Sequence, residues 1–198
     1  LAEMTEKAIE LLSQNRKGFF LMVEGSQVDW ASHDNDPVGV VTEYLAFDQA
    51  VKVAFDFAKS HPEQRTLLLV FPDHDNGGMS LGRFGFETYS FKPQTMNSIL
   101  RNASLTADGV EWLIWNNAKS AGLRADSVKR ILGQYYAMTD VTDEETGAII
   151  AELSDTTYVN LREIIGPMLS ERAGVGWTTF EHTGNDVPMF SYGLSRAP

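Results

Sequence analysis

The sequence predicts an α/β protein: a parallel sheet flanked by helices and interrupted by a mostly helical insertion. Helix-like and strand-like patterns alternate as far as Pro72. Both strand-like runs, "GFFLMVEG" and "RTLLLVFPD", are continuously apolar at their centres, as strands covered on both faces are. The central stretch that follows is dominated by helical periodicity.

The elements follow in order. Met4, Ala8, Leu11 and Leu12 recur at helical spacing in residues 4–16, with Gly18 as the stop. Residues 18–25, bounded by glycines, form the first buried strand. Over residues 40–60, Val41, Tyr44, Leu45, Val51, Phe55 and Ala58 mark one long helix. His61 at its end suits the negative pole of the helix dipole and carries no chemistry. Residues 65–73 form the second buried strand, ended by Pro72. Residues 82–100, "GRFGFETYSFKPQTMNSIL", read as irregular or weakly stranded. Helices are expected over 106–121, 126–136 and 142–153, the last opened by a Thr142/Glu145 capping box. A further helix over 158–172 sets Leu161, Ile165 and Leu169 on one face, and Gly166-Pro167 should kink or split it. Residues 1–84 and 177–198 are therefore expected to form two pieces of the α/β core, and residues 85–176 a helical insertion.

With 198 residues, 43 % hydrophobic and 22 % charged, the chain has the composition of a folded domain. No apolar run reaches the roughly 20 residues that cross a bilayer. The start is amphipathic and lacks an initiator methionine, so the chain is expected to begin inside a longer precursor. Cysteine is absent, which removes disulfides and thiolate metal sites but leaves the redox compartment open. A formal net charge of −11 argues against nucleic acid or an anionic membrane as partner. It would also repel an anionic substrate unless bound cations reverse the local field.

Three stretches concentrate metal-type ligands. "EGSQVDWASHDND" packs Glu24, Asp29, His33, Asp34 and Asp36 directly after the first strand. Crowded carboxylates need a cation or full solvation to be tolerable. Asp29 and His33 stand four apart, so one helical turn would put both on one face. "PDHDNGGMS" places Asp73 and His74 after the second strand, with Gly77-Gly78 allowing a close backbone turn. "FEHTGNDVPMFSYG" sets His182 before a Thr-Gly turn. In parallel sheets ligands collect beyond the carboxyl ends of strands, where Glu24 and Asp73 both fall. Singly, each stretch fits solvated loop residues as well as a metal site. Jointly they favour metal, because three of the four histidines lie in acidic or glycine-marked motifs.

The ordered set "FFLMVEGSQVDWASH", "LAFDQAV", "DHDNGGMS" and "GWTTFEHTGNDVPMFSYG" closely resembles the C-terminal part of alkaline phosphatases. The match is good over residues 1–84 and 174–198 and loose between them. The resemblance implies an alkaline-phosphatase-like fold and a phosphomonoesterase that uses two zinc ions and one magnesium. By that resemblance Asp29, His33 and His182 are ligands of the first zinc, Asp73 and His74 of the second, and Glu24 of the magnesium. It also implies a periplasmic or secreted protein acting on phosphate monoesters. The serine nucleophile of the family lies upstream of the position matching Glu24, before residue 1. Ser26, Ser32 and Ser80 do not align with it and read as turn and cap residues. This chain alone is accordingly expected to be inactive, with no catalytic residue of its own.

Two departures stand out. Trp30 follows the zinc aspartate where relatives carry lysine or histidine, which implies either altered phosphate or metal preference or simple packing against the core. Pro72 and Asp75 replace a threonine and a glutamate flanking the Asp-His pair, changes the site should tolerate. Other readings stay open: a stand-alone zinc-binding structural or interaction module, or a related phosphodiesterase or mutase. Trp112 and Trp115 are candidates for a docking surface or for packing in the core or a dimer. A sheet lacking its other strands leaves an open edge, so homo-oligomerisation or association through that edge is expected.

Overall fold

The computed structural model describes residues 1–85, 93–122, 124–154 and 160–193. Helix α1 spans Ala2–Leu12. After it, residues 19–24 alternate strictly: Phe19, Leu21 and Val23 are half-buried, while Phe20 and Met22 are 88 % and 76 % exposed. This is the exposure pattern of a strand, yet the stretch pairs with no strand among the described residues. The expected buried strand is thus absent here as a strand, because a ladder exists only when a neighbour supplies its hydrogen bonds.

Helix α2 is Gln27–His33 and helix α3 is Pro37–Ser60. Asp36 caps α3 by accepting from Val38 N, and Pro37 takes the first helical position, where its missing N–H costs nothing. At the other end His61 stacks on Phe57, with ring centroids 4.7 Å apart. Strand β1, Leu68–Val70, follows a single 3-10 turn over Pro62–Gln64. Strands β2, Asp75–Asn76, and β3, Ser80–Leu81, are two residues each.

Helix α4, Pro93–Asn102, occupies part of the stretch read as irregular. Met96, Ile99 and Leu100 do carry helical spacing, but the preceding aromatic run masks it, and Pro93 opens the helix rather than breaking it. The rest of that stretch, residues 86–92, lies outside the described residues. Helices α5, Ala107–Ala121, α6, Ala125–Tyr135, and α7, Asp143–Ser154, stand within a residue or two of expectation. Thr106 caps α5 through Gly109 N, and Thr142 and Glu145 exchange both bonds of a capping box at α7. Helix α8, Arg162–Ala173, runs through Pro167 as one helix. Tyr158, the first residue of its expected span, lies outside the described residues. Strands β4, Val175–Gly176, β5, His182–Thr183, and β6, Phe190–Tyr192, complete the order.

Strand pairing departs from the sequence expectation. Among the described residues there are three two-stranded antiparallel pairs, β1 with β6, β2 with β5 and β3 with β4. Leu67, Leu69 and Phe71 around β1 are 50 %, 42 % and 57 % exposed, so this run is uncovered on one face. The best-buried core lies among α4–α8, where Val110, Ile114, Leu132, Ile149, Ile165 and Leu169 are each at most 1 % exposed. Leu161 joins Ile165 and Leu169 on one face of α8, as the spacing requires. Trp112 is exposed on α5, and Trp115 holds the Lys119 ammonium 4.4 Å from its ring centroid.

A forked ion pair ties α7 to α8. Arg172 donates to both Glu145 oxygens at 2.8 and 2.9 Å, and its Nε donates to Asp140 at 2.7 Å. The guanidinium holds the Glu145 carboxyl below its ordinary value of 4.5. Because the folded value is depressed, the pair's stabilisation is full above that ordinary value and disappears as the pH falls below it. Glu145→Gln is expected to cost about 1–2 kcal/mol at pH 7 and to flatten the loss of stability between pH 5 and 3. Urea denaturation across that range checks it, and equal pH slopes for the two proteins would discard the idea.

Candidate metal centre

The site is assembled from three separated segments. Helix α2 contributes Asp29 and His33 one turn apart, with His33 Nε2 3.6 Å from Asp29 Oδ2. His33 Nδ1 lies 2.5 Å from the Phe180 carbonyl oxygen. A carbonyl only accepts, so Nδ1 carries the proton and Nε2 turns its lone pair toward Asp29. Strand β5 contributes His182, whose Nε2 is 3.9 Å from Asp29 Oδ1. One ligand atom from each of Asp29, His33 and His182 falls within 4.8 Å of the others.

The segment between β1 and β2 adds His74, whose ring stacks on His182 with centroids 3.5 Å apart and planes 21° apart. His74 Nδ1 is buried without a hydrogen-bond partner, 4.0 Å from Asp29 Oδ1. Its Nε2 is 3.4 Å from Oδ2 of Asp73, a largely exposed side chain. Three imidazoles thus converge on one carboxylate, and an orphaned ring nitrogen faces it. That donor set of imidazole nitrogens and carboxylate oxygens suits zinc. Glu24 is exposed and makes no hydrogen bond or ion pair among the described residues. Five of the six expected ligands are therefore linked to one another by close contacts, and Glu24 is in none of them among the described residues.

Asp29 has a holder that the sequence did not signal. Asn76 donates its amide to Asp29 Oδ1 at 2.6 Å and to the Asp29 carbonyl at 3.1 Å. The β2–β5 register sets Asn76 opposite His182, so the pairing that brings in His182 also orients Asp29. Asp75 faces the other way, where it accepts from the Thr183 hydroxyl and the Asn185 amide. Asn76 stands two residues beyond His74, and only the register gives that place meaning. Gly77 follows in a left-handed conformation, and a Cβ there would lie 2.7 Å from the Trp177 ring.

Asp34 and Asp36, which share the acidic loop, do not join this group. Asp36 is 2 % exposed and accepts from Val38 N, Ala107 N and the Tyr136 hydroxyl at 3.0, 2.8 and 2.6 Å. Burial pushes its pKa up against the pull of those donors. Burial likewise raises Asp34 to about 7, opposed by Arg162, whose Nε is 3.9 Å away. The reason is directional: the chain leaves α2 after His33, and these carboxylates face the helices α5, α6 and α8. A metal is therefore not what makes them tolerable.

Trp30 does not pack into the core. It is 56 % exposed at the rim of a 270 Å³ cavity that Gln27, Asp34, Glu43, Asp108 and Arg162 also line. Of the serines, Ser32 donates to Val28 O at 2.7 Å and Ser80 to Gly82 O at 3.0 Å, while Ser26 precedes α2 without a side-chain cap bond.

The alkaline phosphatase family profile matches residues 1–197. Alkaline phosphatase 4 of Bacillus subtilis is 37 % identical over 196 residues, 99 % of this chain and 39 % of that protein. Among solved structures, the cold-active alkaline phosphatase of the psychrophile Shewanella sp. superposes with a TM-score of 0.74 at 30 % identity, covering 98 % of this chain and 44 % of that one. Thermus thermophilus alkaline phosphatase shares the fold with a TM-score of 0.83 at 22 % identity, covering 98 % of this chain and 42 % of that one. The chain thus spans about two fifths of the length of these relatives.

Proposed function

Because the chain belongs to the alkaline phosphatase family, we propose that it supplies much of the metal centre of a phosphate monoester hydrolase that holds two zinc ions and one magnesium. The observation that carries this reading is the convergence of Asp29, His33 and His182, with His74 stacked on His182, from three segments far apart in sequence. Asp29, His33 and His182 would hold the first zinc, and Asp73 and His74 the second. Glu24 enters as the magnesium carboxylate by family resemblance alone. Bound zinc supplies a positive field for the attacking and leaving oxygens of an in-line phosphoryl displacement, which offsets the negative charge of this chain.

The chain's own residues prepare the site. The Phe180 carbonyl fixes the His33 tautomer, and Asn76 holds the Asp29 carboxylate in place. The Ser32 and Ser80 hydroxyls donate to the Val28 and Gly82 carbonyls and to no residue of the site. In this reading the nucleophile belongs to a preceding segment, and the 198 residues alone bind metal without turning over substrate. The run 19–24, which has no ladder among the described residues, and the uncovered face of β1 suit a parallel sheet completed by further strands, whether from the same polypeptide or a second copy. Residues 1–84 and 177–198 would form the core of that unit, and residues 85–176 a helical insertion. A periplasmic or secreted location goes with the family reading, and no helix among the described residues is long and apolar enough to cross a membrane.

Hydrolysis of p-nitrophenyl phosphate tests the proposal, with zinc and magnesium added and a chelator as control. The isolated chain is expected to be silent yet to retain zinc. Fused behind the upstream portion of the Bacillus subtilis relative, it is expected to give chelator-sensitive turnover. A silent fusion that retains zinc would point instead to a zinc-binding structural module. Chelator-sensitive turnover by the isolated chain would place the nucleophile within these residues and refute the account of what is missing.

A further inference from the structure

We propose that Ser170 is a positioning residue for the zinc trio, joining the helix that carries Asp29 and His33 to the segment that carries His182. The inference rests on the metal reading above and concerns a residue outside every ligand motif.

Ser170 lies on α8 and is 2 % exposed. Its hydroxyl donates to the Asn35 carbonyl at 2.9 Å and accepts from Trp177 Nε1 at 2.8 Å. One hydroxyl proton and one lone pair are thereby both used, in opposite directions. Asn35 is two residues beyond His33, and Trp177 is five residues before His182. The same hydroxyl therefore bridges both halves of the trio.

Further contacts place this link at the site. The Trp177 ring lies against Gly77, where a Cβ would come within 2.7 Å of it, and Gly77 directly follows Asn76, the holder of Asp29. Thr178 N donates to the Gly77 carbonyl at 2.9 Å, and Gly77 N to the Glu181 carbonyl at 3.1 Å. Asn35, with its amide nitrogen turned toward the facing carbonyls, donates to Thr179 O and Ser32 O, both at 3.0 Å. One turn earlier on α8, Gly166 packs so close that a Cβ would fall 2.1 Å from the Asp34 carbonyl. That approach is what brings Ser170 within reach of Asn35.

The consequence is a division of labour. His33, His182 and Asp29 make the site, whereas α8 sets the spacing between the two backbones that carry them. Without the Ser170 link, Trp177 loses its anchor and the 177–183 segment is held less tightly against α2, where the His33–Phe180 and Asn35–Thr179 bonds remain. Ligands held at unequal distances bind an ion less tightly even when all are present.

Zinc affinity is the readout, measured by competition with a chelating indicator on the full 198-residue chain. The set is wild type, Ser170→Ala, Trp177→Phe and the double variant. Trp177→Phe keeps a ring against Gly77 and removes the N–H donor, so it tests the link even if Ser170→Ala folds poorly. Each single change is expected to weaken zinc by about tenfold, as loss of an outer partner of a metal site does. The double variant should be little weaker than Ser170→Ala, because both changes break one link. Cobalt in place of zinc should show a weaker visible band in each variant, a signature that a loss of stability alone would not produce. Unfolding midpoints without metal report the fold separately. Single variants that bind zinc like wild type, or losses that multiply in the double variant, would overturn the inference. A wild-type chain that holds no zinc would instead remove the metal reading on which it rests.

Discussion

Asp29→Ala is expected to abolish zinc retention, weakening it by well over the roughly 10–100-fold typical of losing an outer partner. Asp29 is the hub of the site. Its Oδ1 accepts from Asn76 and lies 3.9 Å from His182 Nε2 and 4.0 Å from His74 Nδ1, while its Oδ2 lies 3.6 Å from His33 Nε2. Remove it and the first zinc would keep only His33 and His182 of its three ligands, one short of the three protein ligands that hold catalytic zinc. Asp34→Asn, one residue beyond His33, is expected to leave zinc retention intact, because that carboxyl faces Arg162 instead. Metal content after dialysis reads both results. Stoichiometric zinc in Asp29→Ala, or zinc loss from Asp34→Asn, would mean the ligand set has been misassigned.

Asp36→Ala is expected to be the most destabilising single change, costing about 3–5 kcal/mol, as removal of one partner from a buried charged network does. The carboxylate caps α3 and at the same time receives Ala107 N of α5 and the Tyr136 hydroxyl beyond α6. Truncation would strand three buried donors. Tyr136 is fully buried, and its phenol is pushed well above the ordinary value, first by burial and then by Asp36 beside it. Tyr136→Phe removes one donor and leaves the carboxylate two backbone partners, so about 1–2 kcal/mol is expected. Urea denaturation separates the cases. A loss below about 1 kcal/mol for Asp36→Ala would show that the network contributes little.

Much of the local structure was legible because it depends on nearby residues. The capping box at Thr142 and Glu145 forms as its spacing demands, and α3, α5, α6 and α7 follow their apolar stripes. Helix α4 departs from the expected irregular stretch, because the aromatic run before Pro93 obscures its short apolar stripe. Residues 19–24 keep the alternation of a strand but form no ladder among the described residues, since strand pairing is a property of two segments. Gly166-Pro167 does not split α8, which continues through it, with Leu161, Ile165 and Leu169 buried in the core.

The candidate site divides along the same line. By itself the sequence determined that Asp29 and His33 share a face, because a helical turn repeats near four residues, and that Asp73, His74 and His182 sit in tight-turn motifs. The family resemblance singled out Asp29, but nothing in the sequence said what Asp34 and Asp36 of the same acidic loop would face. Only the tertiary structure decided that Asp29 faces three imidazoles while Asp36 faces Tyr136 and Asp34 faces Arg162. Only the β2–β5 register made Asn76 the holder of Asp29. The physical reason is range: helix spacing and capping act within one or two turns, whereas a carboxylate's partner is chosen by packing between segments from about 45 to more than a hundred residues apart.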